Sequence, residues 1–427
     1  RFFDEAMDQA KASEQRYLQG QPLGPLDGLP VAIKDEQDVA GQPNTEGSLI
    51  YQNRSADADS VLAARLRKAG AIFHARTTCP EFCSLWVTHS RLNGVTRNPW
   101  NLDITPGGSS GGSGASLAAG TSVLATGSDI GGSIRFPAAM CGLVGFKPPW
   151  GRVPETYQPF NMEMYCANGP MARTVADTAL MQNIMSGYHS CDAASALEPV
   201  DLPLSYPGDL KGQKLAYSLD FGRYAVEPGV VRNTLALIEQ LRELGATVEE
   251  VVPRFPSDIE RAYYGHMAPL FYNAITGILD QHETELCDYN VVISREVLDP
   301  GFNLMSFYDA SCIESEMNAV FGRLIEQYDA FICPAAFTSS LPADHNPAKD
   351  KYIVNGEVVT SDLEISSCFI FNMMGRCPSI SVPSGLGSNG VPTGVLITAG
   401  PYRDEKVFRV AAALERAQGP FKFPGIE

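Results

Sequence analysis

Residues 106–137 read PGGSSGGSGASLAAGTSVLATGSDIGGSIRFP. Two glycine–serine clusters, 107–114 and 127–133, flank a segment of small and apolar residues. A flexible linker of such composition has no periodic apolar content. This stretch instead holds Leu117, Val123, Leu124 and Ile130 and runs into RFPAAMCGLVGFKP at 135–148, so it belongs to a folded core. Glycines let the backbone turn tightly and let a ligand approach it closely, and Ser109, Ser110 and Ser133 supply hydroxyls at those bare turns. Upstream, the apolar run Val31-Ala32-Ile33 ends in Lys34. With only 6 histidines in the chain, a serine activated here is expected to use a base other than imidazole.

Outward from this stretch, helical and strand-like segments alternate. Helices are expected over 2–18, 60–68, 113–119, 133–139, 230–244 and 405–417. The helix at 230–244 sets Val231, Leu235, Ile238 and Leu241 on one face. Strands are expected over 29–34, 71–74, 123–125, 215–218, 247–251, 330–333, 379–382 and 394–397. Alternation of this kind predicts an α/β fold with helices covering a mostly buried sheet. The segment 255–325 is richer in helix and aromatic residues and reads as a helical layer or a cap over a pocket.

The chain has 427 residues, 44% of them hydrophobic and 19% charged, as in an ordinary globular protein. A net charge of −17 argues against nucleic acid, which demands a basic surface. No apolar run is long enough to span a bilayer, and the charged first 20 residues are unlike a signal peptide. The sequence begins at Arg1 rather than methionine, so residues ahead of it are expected. Ten irregularly spaced cysteines read as reduced thiols, which places the protein in the cytoplasm. Cys79 and Cys83 form a lone C-x-x-x-C without the histidine pair that zinc would need.

Three motifs mislead. Val31–Lys34 and Asp220-Phe221-Gly222 match kinase fragments, but the glycines follow the lysine and no H-R-D lies between. Residues 385–390 satisfy G-x-G-x-x-G, yet a strand-like run follows where a dinucleotide site requires a helix. Residues 107–111 satisfy G-x-S-x-G, the serine elbow of α/β-hydrolases with a Ser-His-acid triad. There the strand is replaced by Thr105-Pro106, and the downstream histidines (His189, His266, His282 and His345) have no distinctive setting.

Taken together, the residues resemble the amidase signature family. The resemblance rests on GLPVAIKD at 28–35, NPWN at 98–101, the serine-glycine run at 106–114, GSDIGGSIR at 127–135, GLVGFKP at 142–148 and GPMAR at 169–173. It covers most of the chain and is sharpest over 28–175, the catalytic core segment. It implies a single domain over 1–427, with a large, mixed, twisted central sheet covered by helices on both faces. It also implies a catalytic set of nucleophile Ser133, bridging Ser109 preceded by a cis peptide, and base Lys34. The amides of Ile130, Gly131, Gly132 and Ser133 would form the oxyanion hole, aided by a helix beginning at Ser133. Ser110, Asp129 and Arg135 would support this loop.

The chemistry is coherent, because a serine hydroxyl attacks only when a neighbouring base removes its proton. Lysine does so only when neutral, and burial after an apolar strand is expected to lower its pKa. Asp35 points to the opposite face, whereas Glu36 shares the lysine's side and favours its charged form. The implied reaction is hydrolysis of a carbon–nitrogen acyl bond through an acyl-enzyme, without metal or organic cofactor. The expected partner is a small amide or carbamate carrying an apolar or aryl group, as for an aryl amidase or urethanase, and the protein is expected to be a monomer or homodimer. Phe82, Trp86, Met162, Met164, Tyr165 and Cys166 are candidates for an apolar pocket. A cyclic oligoamide hydrolase and the glutaminase component of a tRNA-dependent amidotransferase are the family's alternatives.

Overall fold

The computed structural model describes residues 2–156, 160–195, 198–299, 303–419 and 421–424. Ten strands form one sheet: β1 (Pro30–Lys34), β2 (Ile72–Thr77), β3 (Leu124–Asp129), β4 (Val144–Lys147), β5 (Ala167–Ala172), β6 (Lys214–Tyr217), β7 (Thr247–Glu250), β8 (Ala330–Pro334), β9 (Ser379–Leu386) and β10 (Pro392–Thr398). Their spatial order is β2-β1-β3-β5-β4-β9-β10-β8-β6-β7. The two ends, β2-β1-β3 and β8-β6-β7, pair in parallel, and the strands between pair antiparallel. This is the large mixed sheet expected of the family.

The main helices are α1 (Phe3–Leu18), α2 (Val61–Lys68), α3 (Gly111–Ala118), α4 (Arg135–Cys141), α5 (Val175–Met185), α6 (Pro228–Glu243), α7 (Ile259–Met267), α8 (Asp288–Leu298), α9 (Phe307–Ile325), α10 (Cys368–Met373) and α11 (Asp404–Gln418). Local chemistry starts several of them. Ser60 and Thr174 accept from the amides of Ala63 and Asp177, capping α2 and α5, and Pro228 occupies the first turn of α6.

Helices cover both faces, and strand alternation explains how. Along β1, Val31 and Ile33 pack with α2 and α5, while Ala32 packs on the other side with Leu117 of α3 and Ala138 of α4. Lys34 therefore points toward α3 and α4, the side that carries the glycine–serine loops. Farther along the sheet, Ala330 and Ile332 of β8 join α6 and α11 in one core, and Phe331 and Cys333 join the core beneath α7 and α9.

Three expected boundaries move. β2 continues to Thr77 because its pairing with β1 runs to the Lys34–Thr77 register. β3 continues to Asp129, since Thr126 to Asp129 pair residue for residue with β5; between two neighbours, a Gly-Ser segment is held extended despite its low strand propensity. α4 begins at Arg135 rather than Ser133, because the Asp129 carboxylate accepts from the amides of Ile134 (3.1 Å) and Arg135 (3.3 Å), and the turn before them stays open.

Candidate active site

The end of β1, the loop before α3 and the turn between β3 and α4 converge. Lys34 is fully buried, and its Nζ donates to Ser109 Oγ and to Ser128 Oγ, both at 2.8 Å. The Gly108–Ser109 peptide is cis. The two serine loops are tied together where the Ser110 amide donates to the Ser133 carbonyl at 3.1 Å, and Ser110 Oγ donates to the Ser128 carbonyl at 3.4 Å.

Ser133 is 9% exposed, and among the described residues its hydroxyl makes no hydrogen bond. The amides of Ile130, Gly131, Gly132 and Ser133 likewise donate to no described residue. Four unpaired donors beside an unpaired hydroxyl are what a developing oxyanion would require. The turn needs its glycines. Gly132 has φ +140°, and a Cβ there would lie 2.5 Å from Cys368 Cβ and 2.8 Å from the Trp86 ring.

Asp129 and Arg135 brace this turn as a fully buried, two-pronged ion pair, with Nε–Oδ2 at 2.9 Å and Nη2–Oδ1 at 2.8 Å. Burial alone would raise the Asp129 pKa, but the guanidinium charge and hydrogen bonds bring it down to about 2. Asn372 of α10, which sequence reading missed, completes the brace by donating to Asp129 Oδ1 (2.8 Å) and accepting from Arg135 (2.6 Å).

The electrostatics of Lys34 correct the expectation of a depressed pKa. Burial disfavours the ammonium, yet the acidic groups Cys83, Glu36 and Cys79 outweigh it and hold the pKa above the ordinary lysine value. Geometry supports this outcome, since Glu36 Oε1 lies 3.1 Å from Nζ and its other oxygen accepts from Cys83 Sγ at 2.8 Å. The Glu36 pKa falls correspondingly: burial raises it, but Lys34 and the hydrogen bonds prevail. Asp35 turns away to Thr45 and Arg76, as alternation requires.

Two small cavities meet here, sharing Cys83, Ile130 and Phe271. One, about 80 Å³, is lined by Glu36, Ser109, Ser128, Phe82 and Cys166. The other, about 50 Å³, is lined by Ser133, Trp86, Tyr263, Tyr264 and Tyr272. Of the pocket candidates from sequence, Phe82, Trp86 and Cys166 take part. Met162 is 62% exposed, Met164 packs against the core, and Tyr165 is buried against His266 instead. The tyrosines of α7 and its continuation were legible only as the aromatic richness of 255–325. Ser128 was hidden in what read as a turn. Among the described residues, no histidine bonds to Ser109, Ser110 or Ser133. His266 lies between Glu163 (3.0 Å) and Glu314 (2.8 Å).

An amidase family model matches residues 1–408. The chain belongs to the amidase signature family of amidohydrolases. It is 34% identical to the first component of the glutamyl-tRNA(Gln) amidotransferase of Salinispora tropica, over 99% of this chain and 90% of the relative. It is 33% identical to an acylamidase of Rhodococcus erythropolis, over 96% of this chain and 85% of that protein. A bacterial aryl acylamidase of the amidase signature family superposes with a TM-score of 0.88 at 28% identity, covering 98% of this chain and 88% of the other. No described helix of this amidase family member is long and apolar enough to cross a membrane.

Proposed function

We propose that this chain is a stand-alone serine amidohydrolase acting on a small amide or carbamate with an apolar or aryl group. Ser133 Oγ attacks the carbonyl carbon, its proton passes through Ser109 to a neutral Lys34, and the unpaired amides of 130–133 hold the oxyanion. The leaving amine takes the proton back along the same path. Water then attacks the acyl-enzyme, giving its proton to the relay and restoring Ser133. The observation that carries this reading is the buried Lys34 amine 2.8 Å from the Ser109 hydroxyl, beside a Ser133 hydroxyl with no partner among the described residues. The trio accounts for nucleophile, relay and base without a histidine.

Because the lysine rests protonated beside Glu36, the competent form is the minor one near neutral pH, and turnover rises as that proton is lost. Aromatic rings around Ser133 support an apolar or aryl substituent, and the helical segment 255–325, which supplies Tyr263, Tyr264 and Tyr272, is read as a cap over that pocket. A second reading, the glutaminase component of a tRNA-dependent amidotransferase, is favoured by the Salinispora tropica relative. A fluorophosphonate probe with peptide mapping tests the first reading and is expected to label Ser133; labelling of Ser109 or Ser110 in its place refutes it. The purified chain alone is expected to hydrolyse aryl amides or carbamates, whereas turnover of glutamine only would favour the amidotransferase.

A further inference from the structure

The cavity that holds Ser133 contains one carboxylate, Asp362. This residue opens the short turn Asp362–Ile365 after β8 and before α10, and the turn is fixed by a capping box between Ser361 and Glu364. Trp86 Nε1 donates to Asp362 Oδ2 at 3.0 Å, and the Tyr264 hydroxyl donates to Oδ1. These neutral donors orient the carboxylate but leave its charge in place. Among the described residues, no lysine or arginine forms an ion pair with it. Burial pushes its pKa up and the hydrogen bonds oppose that, so the negative charge here is held at a cost.

Around this charge stand the rings of Trp86, Tyr263, Tyr264, Phe271 and Tyr272. Tyr263 and Tyr264 meet edge to face at 5.8 Å, and Tyr264 and Tyr272 are tilted at 6.1 Å, so the rings enclose rather than stack in one plane. An uncompensated carboxylate inside an aromatic box attracts a cation twice, by charge and by ring quadrupoles. Asp362, Tyr264 and Tyr272 also line the neighbouring cavity of about 1150 Å³, where acidic side chains outnumber basic ones. A ligand entering from that side crosses a wall of the same sign.

We propose that Asp362 and the surrounding rings form a cation subsite beside Ser133, so that the preferred substrate carries a protonated amine or a similar organic cation. The subsite rests on the reading of Ser133 as nucleophile only for which bond is cleaved, and the test keeps the two apart. Binding of benzylammonium and of its neutral isostere benzyl alcohol to the wild-type protein is measured by calorimetry. In parallel, kcat/KM is measured for 4-(aminomethyl)benzoyl 4-nitroanilide and its isostere 4-ethylbenzoyl 4-nitroanilide. The subsite predicts a preference for the cationic member of about tenfold or more in binding, and for Asp362→Asn a cation-to-neutral ratio reduced to within about twofold.

Equal binding of the two benzyl probes by the wild type, or tighter binding of the alcohol, overturns the subsite whether or not the variant folds. Hydrolysis of both anilides without preference for the cation, together with equal probe binding, overturns it while leaving the amidohydrolase intact. Selective benzylammonium binding that Asp362→Asn abolishes, in a protein inert toward both anilides, supports the subsite and counts against the assigned chemistry.

Discussion

Replacing Glu36 by glutamine probes the base directly. The Glu36 carboxylate lies 3.1 Å from the buried Lys34 ammonium. At an effective dielectric near 20, opposite unit charges at that separation attract by about 5 kcal/mol. That figure is a ceiling, because glutamine keeps a dipole toward the amine and Ser109 and Ser128 remain as partners. A close opposite charge moves a pKa by about 1–3 units, or roughly 1.4–4 kcal/mol. Glu36→Gln removes a charge that raises the Lys34 pKa, so the shift is downward. A lysine left without its counter-ion in a dry site escapes the cost by shedding its proton, which is the form the reaction needs.

The assay is the pH dependence of kcat/KM on an aryl anilide. Wild type is expected to gain about tenfold per pH unit from 7 to 10, without a plateau below the ordinary lysine pKa. In the variant the rising limb moves down by about 1–3 units. A weaker base transfers protons less readily; with a Brønsted slope of about 0.5, half of that gain is returned, leaving roughly 3- to 30-fold at pH 7. A limb that stays in place, in a variant whose thermal midpoint shows it folded, would refute the claim that Glu36 sets the proton affinity of Lys34.

Ser133→Ala is expected to lower kcat by roughly 10⁴- to 10⁶-fold, with loss of fluorophosphonate labelling and an unchanged melting temperature; a fall of less than about tenfold removes Ser133 from the chemistry. Gly132→Ala places a Cβ against Cys368 and Trp86 at a backbone angle that favours glycine, so activity and thermal stability should fall together, measured by turnover and calorimetry. His266 supplies a pH-dependent contribution to stability. Burial lowers its pKa, but the hydrogen bonds and charges of Glu163 and Glu314 raise it to about 9. The contribution, up to roughly 3 kcal/mol, is therefore complete below pH 6.5 and disappears as pH climbs through about 9. Denaturant unfolding of His266→Gln should lack that alkaline decline, and an identical decline in the variant would assign it to other groups.

Residue type and order alone determined the alternating α/β pattern, the family resemblance and the residues nominated for the chemistry. These were legible because each depends on local requirements. Bare turns need glycine, buried strands need apolar runs, and an acyl-transfer serine needs an oxyanion turn beside it. Glu36 was legible too, since strand alternation puts residues two apart on one side.

Only the tertiary structure decided which influence on Lys34 prevails, because burial and a carboxylate at 3.1 Å act in opposite directions and the distance sets the balance. It also decided that Ser128 touches the lysine, because that serine sits on a strand held extended by β5 rather than by its own propensity. Asn372 and Asp362 reach the site from more than 200 residues away in sequence. No local periodicity encodes such an approach; it exists only once α10 and the turn before it are packed against the sheet.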